Sequence, residues 1–266
     1  VSEGFEELAG VDGKVTPTAE ATIGLKDDGL YRGDGAFEVV RLYHGRPFAL
    51  GDHLDRLGRS AAAIELSFDR DALEREIEAL LATAGPVDGQ LRLIVTRGGR
   101  RIAATEPIPS HSETLRLATV TYTPTIILNG VKSISYAANM QATRLAKAQG
   151  ADEAVLVRPE GTVLEPPTSS IFWVSPDGEL RTPALSDGVL ESITRDRLIK
   201  ALAVTEGSWQ VDDLLAATEA FLASTTREIQ AVAAVNGNEL AAAPGPRTRE
   251  AQEAFAAILG RELREL

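Results

Sequence analysis

The 266-residue chain contains no cysteine, which excludes disulfides, thiolate metal sites and a cysteine nucleophile. Histidine is scarce, and His44, His53 and His111 are too scattered to read as a metal site. Positive charge is in deficit: 27 Lys and Arg against 39 Asp and Glu leave a net charge of −12 at pH 7. General affinity for nucleic acid or for an anionic membrane is therefore not expected, and an anionic ligand must be captured locally by a few Arg or Lys side chains. No apolar run is long enough to span a bilayer. The stretch Val1–Leu8 is polar and acidic, unlike a signal peptide. The expectation is a soluble, cytoplasmic protein. No P-loop and no GxSxG elbow occurs, and Gly33-x-Gly35 lacks the third glycine of a dinucleotide fingerprint.

What the chain does have is an ordinary globular composition, 44 % hydrophobic and 25 % charged, long enough for one large domain or two modest ones. Residues 36–43 are rich in Val and aromatics and predict a strand, with His44-Gly45-Arg46 as a hairpin turn. Leu54, Leu57, Ala61 and Ile64 recur at helical spacing, with Asp52 as the expected N-cap. A second helix is expected over 71–84, ended by Gly85-Pro86, and strands over 91–96 and 115–122. Pro124, flanked by threonines, marks a linker. Beyond it the pattern predicts a helix over 137–149, stopped by Gly150, then strands over 153–157, 162–164 and 171–174. A helix over 193–203, strands over 221–224 and 229–235, and a closing helix over 249–263 complete the reading. Interleaved helices and strands in two blocks predict an α+β (α/β) protein of two domains, 1–121 and 128–266, joined by a linker at 122–127.

Four ordered segments carry a resemblance. The first is Asp28-Gly29-Leu30-Tyr31-Arg32-Gly33-Asp34-Gly35-Ala36-Phe37-Glu38, leading to His53-Leu54-Asp55-Arg56-Leu57. The second is Val131-Lys132-Ser133-Ile134-Ser135-Tyr136, running on to Gly150-Ala151-Asp152-Glu153-Ala154. The third is Gly161-Thr162-Val163-Leu164-Glu165 with Ser170-Ile171-Phe172. The fourth joins Thr182-Pro183 and Ser192-Ile193-Thr194-Arg195 to Ser224-Thr225-Thr226. Together they cover most of the chain, and the ordered set resembles the fold type IV enzymes that use pyridoxal 5′-phosphate (PLP). These are the class IV aminotransferases, including branched-chain and D-amino acid aminotransferases, R-selective amine transaminases and aminodeoxychorismate lyases.

The resemblance implies a smaller N-terminal and a larger C-terminal domain with the cofactor between them, and a homodimer. It implies that Lys132 is the Schiff-base lysine and catalytic base, although a lysine is ordinarily a solvated surface residue. Glu165 would face the ring nitrogen and keep it protonated. Arg56, the amides of Ile193 and Thr194 at a helix N-terminus and the Thr225 hydroxyl would hold the phosphate. Tyr136 would bond the cofactor's phenolic oxygen or imine region. Arg32, Phe37, Arg92, Arg100 or Arg101, and Thr226 are the candidates for the substrate side.

The implied reaction is ping-pong transfer of an amino group from an amino acid, branched-chain or otherwise aliphatic, to a 2-oxo acid. D-amino acids and R-amines are alternative donors. The competing readings are the lyase and a non-catalytic PLP-binding protein. Glu38 and Tyr136 stand where a lyase of the family has Thr and Arg, which favours transamination. Arg32, Ser170, Ser192 and Pro166-Pro167 depart from the family pattern and leave the substrate pocket open.

Overall fold

The computed structural model describes residues 6–265, so Val1–Phe5 of the acidic N-terminal stretch lie outside the described residues. The chain divides into two compact units. One takes the chain up to Ser110, Val131–Tyr136 and the last residues from Glu262; the other takes His111–Gly130 and Ala137–Arg261.

The first unit contains β1 (Leu8–Val11), β2 (Lys14–Pro17), α1 (Asp28–Arg32), β3 (Gly35–Tyr43), β4 (Arg46–Pro47), α2 (Leu50–Ala63), α3 (Arg70–Ala84), β5 (Gly89–Thr96) and β6 (Arg101–Glu106). Its sheet runs β2-β1-β6-β5-β3-β4, with antiparallel pairing throughout. Alternation along the strands divides its side chains between two faces. Ala36, Val40, Leu42, Leu91, Leu93, Val95 and Ala103 enter the core with Leu54, Leu57 and Ala61 of α2 and Leu73, Ile77 and Leu80 of α3. Val39, Arg41, Arg92, Ile94, Ala104 and Glu106 alternate with these and are half-buried.

Sequence patterning located β3, α3 and β5 to within two residues. It missed β1, β2, α1 and β6. The β6 sequence Arg-Ile-Ala-Ala-Thr-Glu is short of β-branched and aromatic residues, and pairing with β5 and β1 is what makes it a strand. The start of α2 also differs. Its cap is Ala49, with φ +55°, and Asp52 lies inside the first turn, where its charge complements the helix dipole. By contrast α3 has a side-chain cap, Asp69 accepting from the Ala72 amide at 2.9 Å.

The second unit contains β7 (Thr114–Thr121), α4 (Ala137–Ala148), β8 (Glu153–Val157), β9 (Ser170–Val174), β10 (Leu180–Pro183), α5 (Ile193–Ala201), β11 (Val204–Gly207), α6 (Val211–Leu215), β12 (Glu219–Ser224), β13 (Glu228–Val235), β14 (Asn238–Glu239) and α7 (Pro246–Glu265). Its sheet runs β11-β10-β9-β12-β13-β7-β8, with β14 off β13. Trp173, Ile171, Leu222 and Val232 are at its centre, and Phe172 stacks on Phe221 with centroids 5.0 Å apart.

Two expectations change here. The expected boundary put residues 114–121 in the first domain, but β7 lies parallel between β8 and β13 and belongs to the second unit. Residues 162–164 form isolated bridges, Val163 to Val157 and Thr162 to Gln210, rather than a strand. Among the described residues no helix is long and apolar enough to cross a membrane.

The segment Val131–Tyr136 returns to the first unit along the edge of β3. The Phe37 amide donates to the Lys132 carbonyl at 3.0 Å and the Ile134 amide to the Gly35 carbonyl at 3.1 Å. This closeness needs glycine at position 35, because a Cβ there would meet the Val95 carbonyl oxygen at 2.5 Å and Ile134 Cδ1 at 2.9 Å. Gly35→Ala is expected to destabilise the fold by about 1–3 kcal/mol through overpacking, read as a lower urea midpoint. An unchanged midpoint would show that the edge yields without cost.

Candidate active site

Glu38 lies on the core face of β3, where a carboxylate among Ala36, Val40 and Leu42 needs partners. It has two. Arg56 donates from Nε at 2.7 Å and from Nη2 at 2.8 Å, and His53 Nδ1 lies at 2.8 Å. His53 and Arg56 are one helical turn apart on α2, so both reach the same strand position. Burial pushes the Glu38 carboxyl up, but the hydrogen bonds and charges of Arg56 and His53 outweigh it and hold it down at about 2. Burial pushes His53 below its ordinary value, and Glu38 opposes this only in part. The ring is therefore neutral, with Nδ1 donating to the ionised carboxylate. Its Nε2 is buried without a hydrogen-bond partner.

One turn further along α2, Ser60 Oγ accepts from the Lys132 amide at 3.1 Å. The Lys132 Nζ lies 4.3 Å from the centre of the Phe37 ring, a cation–π distance. The Tyr136 ring meets Phe37 edge-on, with centroids 5.3 Å apart. The first unit thus brings together Lys132, Phe37 and Tyr136, and ties the backbone of Lys132 to the helix that carries Arg56.

The arginines expected on the substrate side each carry an ion pair within the first unit. Arg32 pairs with Asp28, four residues before it on α1. Arg100 pairs with Asp12, and Arg101 with Glu76 at 2.7 Å. Arg92 gives Nε and Nη2 to Glu106 at 2.5 and 2.8 Å. Burial pushes Glu106 up, but Arg92 and Gln90 hold it below its ordinary value. These four guanidinium groups are already neutralised within the first unit, a pairing that residue spacing does not reveal.

In the second unit, Glu165 follows the bridge residues beside β8, and its Oε1 accepts from the Leu190 amide at 2.7 Å. Ile193 and Thr194 open α5 and are buried. Ser192 caps them, accepting from the Arg195 amide at 3.3 Å. Thr225 and Thr226 lie half-buried in the turn between β12 and β13. Arg227 anchors that turn by pairing with Glu153 of β8 and donating to Gln230 at 2.7 Å. Among the described residues no group of three or more His, Asp or Glu is placed to hold a metal.

Comparison with known proteins agrees with this layout. The model of the family "Amino-transferase class IV" matches residues 35–235. The chain belongs to the class IV aminotransferase family. This aminotransferase is 31 % identical to a D-alanine aminotransferase of Bacillus licheniformis, over 92 % of this chain and 94 % of the relative. It is 32 % identical to a putative branched-chain-amino-acid aminotransferase of Methanocaldococcus jannaschii, over 85 % and 87 %. Among solved structures, it matches the branched-chain aminotransferase of Thermoproteus uzoniensis with a TM-score of 0.84 at 29 % identity, covering 95 % of this chain and 94 % of the other.

Sequence reasoning passed over the Glu38–His53 contact and Ser60 in the first unit, and the Arg227–Glu153 pair in the second. One signal was available, a Glu at a core position of a strand facing His and Arg at i and i+3 of the next helix.

The Glu38 cluster makes folding pH-dependent. The His53 value is lowered in the fold, so stability begins to fall as pH drops below about 6.5. The Glu38 value is lowered too, so its contribution is complete above about 4.5 and is lost as pH falls toward 2. Glu38→Gln should cost about 3–5 kcal/mol near neutrality by stranding Arg56 and flatten the fall below about pH 4.5. Urea midpoints across a pH series test this, and equal acid slopes in the two proteins would refute it.

Proposed function

We propose that Lys132 holds pyridoxal 5′-phosphate and that the protein moves an amino group from an aliphatic amino acid to a 2-oxo acid by a ping-pong route. The observation that carries this reading is Lys132 itself. Its backbone is fixed on both sides, to Phe37 and to Ser60, while its amine is held over an aromatic face.

The residues fit the cofactor. A lysine amine is what the aldehyde requires. Glu165, oriented by the Leu190 amide, is the carboxylate for the ring nitrogen. Arg56, the amides of Ile193 and Thr194 and the Thr225 hydroxyl supply donors and positive potential for the phosphate. Glu38 fixes the Arg56 guanidinium by two of its nitrogens, and Tyr136 serves the phenolic side of the ring. When bound, the cofactor supplies an electron-accepting ring that stabilises negative charge at the amino acid's Cα. Lys132 Nζ would take the proton from that Cα and deliver it to the cofactor's aldehyde carbon, as net transfer of the amino group requires. Phe37 and Thr226 border the substrate.

An aliphatic donor is supported by Val39 and Ile94 on the same face of the sheet as Phe37, and by relatives named for D-alanine and branched-chain amino acids. We further propose a cytoplasmic homodimer. Ile126 and Ile127 are 80 % and 85 % exposed and Leu30 and Tyr31 53 % and 57 %, apolar surface of the kind that a second copy covers.

Borohydride reduction followed by peptide mass spectrometry should place the cofactor on Lys132, and Lys132→Ala should be colourless when purified. Cofactor recovered on no lysine would refute the assignment. A panel of L- and D-alanine, valine and leucine, scored by the spectral change of the bound cofactor, should show turnover of at least one aliphatic donor. With pyruvate as acceptor, alanine should form; a lyase would make none from a transferred amine.

A further inference from the structure

Glu153 and Arg227 take no part in the chemistry above, yet they form a largely buried ion pair in the second unit, 74 residues apart in the chain. Strand pairing alone does not bring them together. Glu153 stands opposite Leu117 of β7, whereas Arg227 lies before Ala231, which stands opposite Thr114. The contact is made beyond β8, the last strand of the sheet. After Thr162 the chain runs back along β8, the Leu156 amide donating to the Glu165 carbonyl at 3.1 Å and the Leu164 amide to the Leu156 carbonyl at 2.9 Å. This return brings Thr168 to Glu153, whose Oε1 accepts from Thr168 Oγ1 at 3.4 Å. The other carboxylate oxygen accepts from Arg227 Nη2.

Arg227 closes the turn that carries Thr225 and Thr226. Its amide donates to Ser224 Oγ at 3.3 Å. Its Nη1 donates to Gln230 Oε1 at 2.7 Å, and Gln230 Nε2 donates in turn to the Ser112 carbonyl at 2.6 Å. Glu228, next in the chain, has φ +55°, a left-handed conformation that a residue with a side chain keeps only where its surroundings hold it. A buried ion pair adds little stability over an apolar contact of the same shape, but it can fix geometry. Burial pushes the Glu153 carboxyl above its ordinary value, and the charge of Arg227 and the Thr168 hydrogen bond offset this only in part. The pair is a poor source of stability, and what it secures is position.

We propose that Glu153 and Arg227 are positioning residues for the cofactor. One carboxylate joins the turn that carries the Thr225 hydroxyl to the segment that carries Glu165, a few residues before Thr168. The inference rests on the cofactor reading above, in which Thr225 faces the phosphate and Glu165 the ring nitrogen. The cofactor's planar ring fixes the distance between those two groups. A site that holds both must keep its own groups at a matching separation, to within about 0.5 Å. The Glu165 side is held independently by the Leu190 amide, so loosening the pair releases the phosphate side first.

The test strips the cofactor from the full chain and measures the affinity for pyridoxal 5′-phosphate and for pyridoxal, which lacks the phosphate, by fluorescence titration. Arg227→Gln and Glu153→Gln should each weaken pyridoxal 5′-phosphate about tenfold and pyridoxal less than about twofold. The double variant should lose no more than the worse single one, because the two side chains act as one unit. Arg227→Lys keeps the charge opposite Glu153 but cannot also hold Gln230. It serves where a glutamine variant does not fold, and should show a smaller loss confined to the phosphorylated ligand. Equal losses with the two ligands would mean a merely structural pair and overturn the proposal. So would additive losses in the double variant. Unchanged or tighter cofactor binding in Glu153→Gln would overturn it too, since that is the result if Arg227 itself grips the phosphate. A chain that binds no pyridoxal 5′-phosphate sinks the cofactor reading and this inference with it; cofactor trapped on Lys132, with the ratio of the two affinities unmoved in the variants, sinks this inference alone.

Discussion

The Glu38 carboxylate, sealed between β3 and α2, is the interaction on which the first unit is organised. Its charge is kept because Arg56 and His53 both donate to it. Such a pair adds little net stability over an apolar isostere, since desolvation offsets most of the attraction. It does specify geometry. The bond sets the plane of the Arg56 guanidinium and the tautomer of His53, and locks the rotation of α2 against the strand. Ser60 on the same helix then receives the Lys132 amide, so the frame that holds Arg56 also positions the lysine.

The face of the sheet turned away from α2 and α3 follows a different economy. There Phe37 carries the Lys132 amine, and charges are cancelled locally wherever a carboxylate is within reach. Arg92 is cancelled there by Glu106, and on the helix-packed side Arg101 is cancelled by Glu76 of α3. On this face Arg41 has two buried guanidinium nitrogens without a hydrogen-bond partner. The second unit has its own ordered polar groups: Glu165 held by a backbone amide, and a capped helix N-terminus at Ile193 and Thr194.

Much of the fold was legible because hydrophobic period survives local reading. The strand at 35–43 and the helices at 70–84, 137–148 and 193–201 follow from local residue pattern, with Gly85 and Gly150 ending two of the helices. What failed had weak local signals. Residues 101–106 carry only Ile102 and Thr105 as strand formers and are ordered by two neighbours. Residues 114–121 read as a strand, but nothing local says which sheet they join. The site shows the same division. Lys132, Tyr136 and Phe37 could be named in advance and do meet, whereas the committed state of Arg32, Arg92 and Arg100 could not be foreseen.

The sequence by itself determined the family and the sign of the charge balance, because these depend on which residues occur and in what order. The tertiary structure decided which charges remain unspent. Arg41 and Arg92 look alike along the chain. They differ because β6 brings Glu106 to Arg92 and nothing described brings a carboxylate to Arg41. Charge compensation depends on distance in space, and strand pairing sets that distance between residues far apart in sequence.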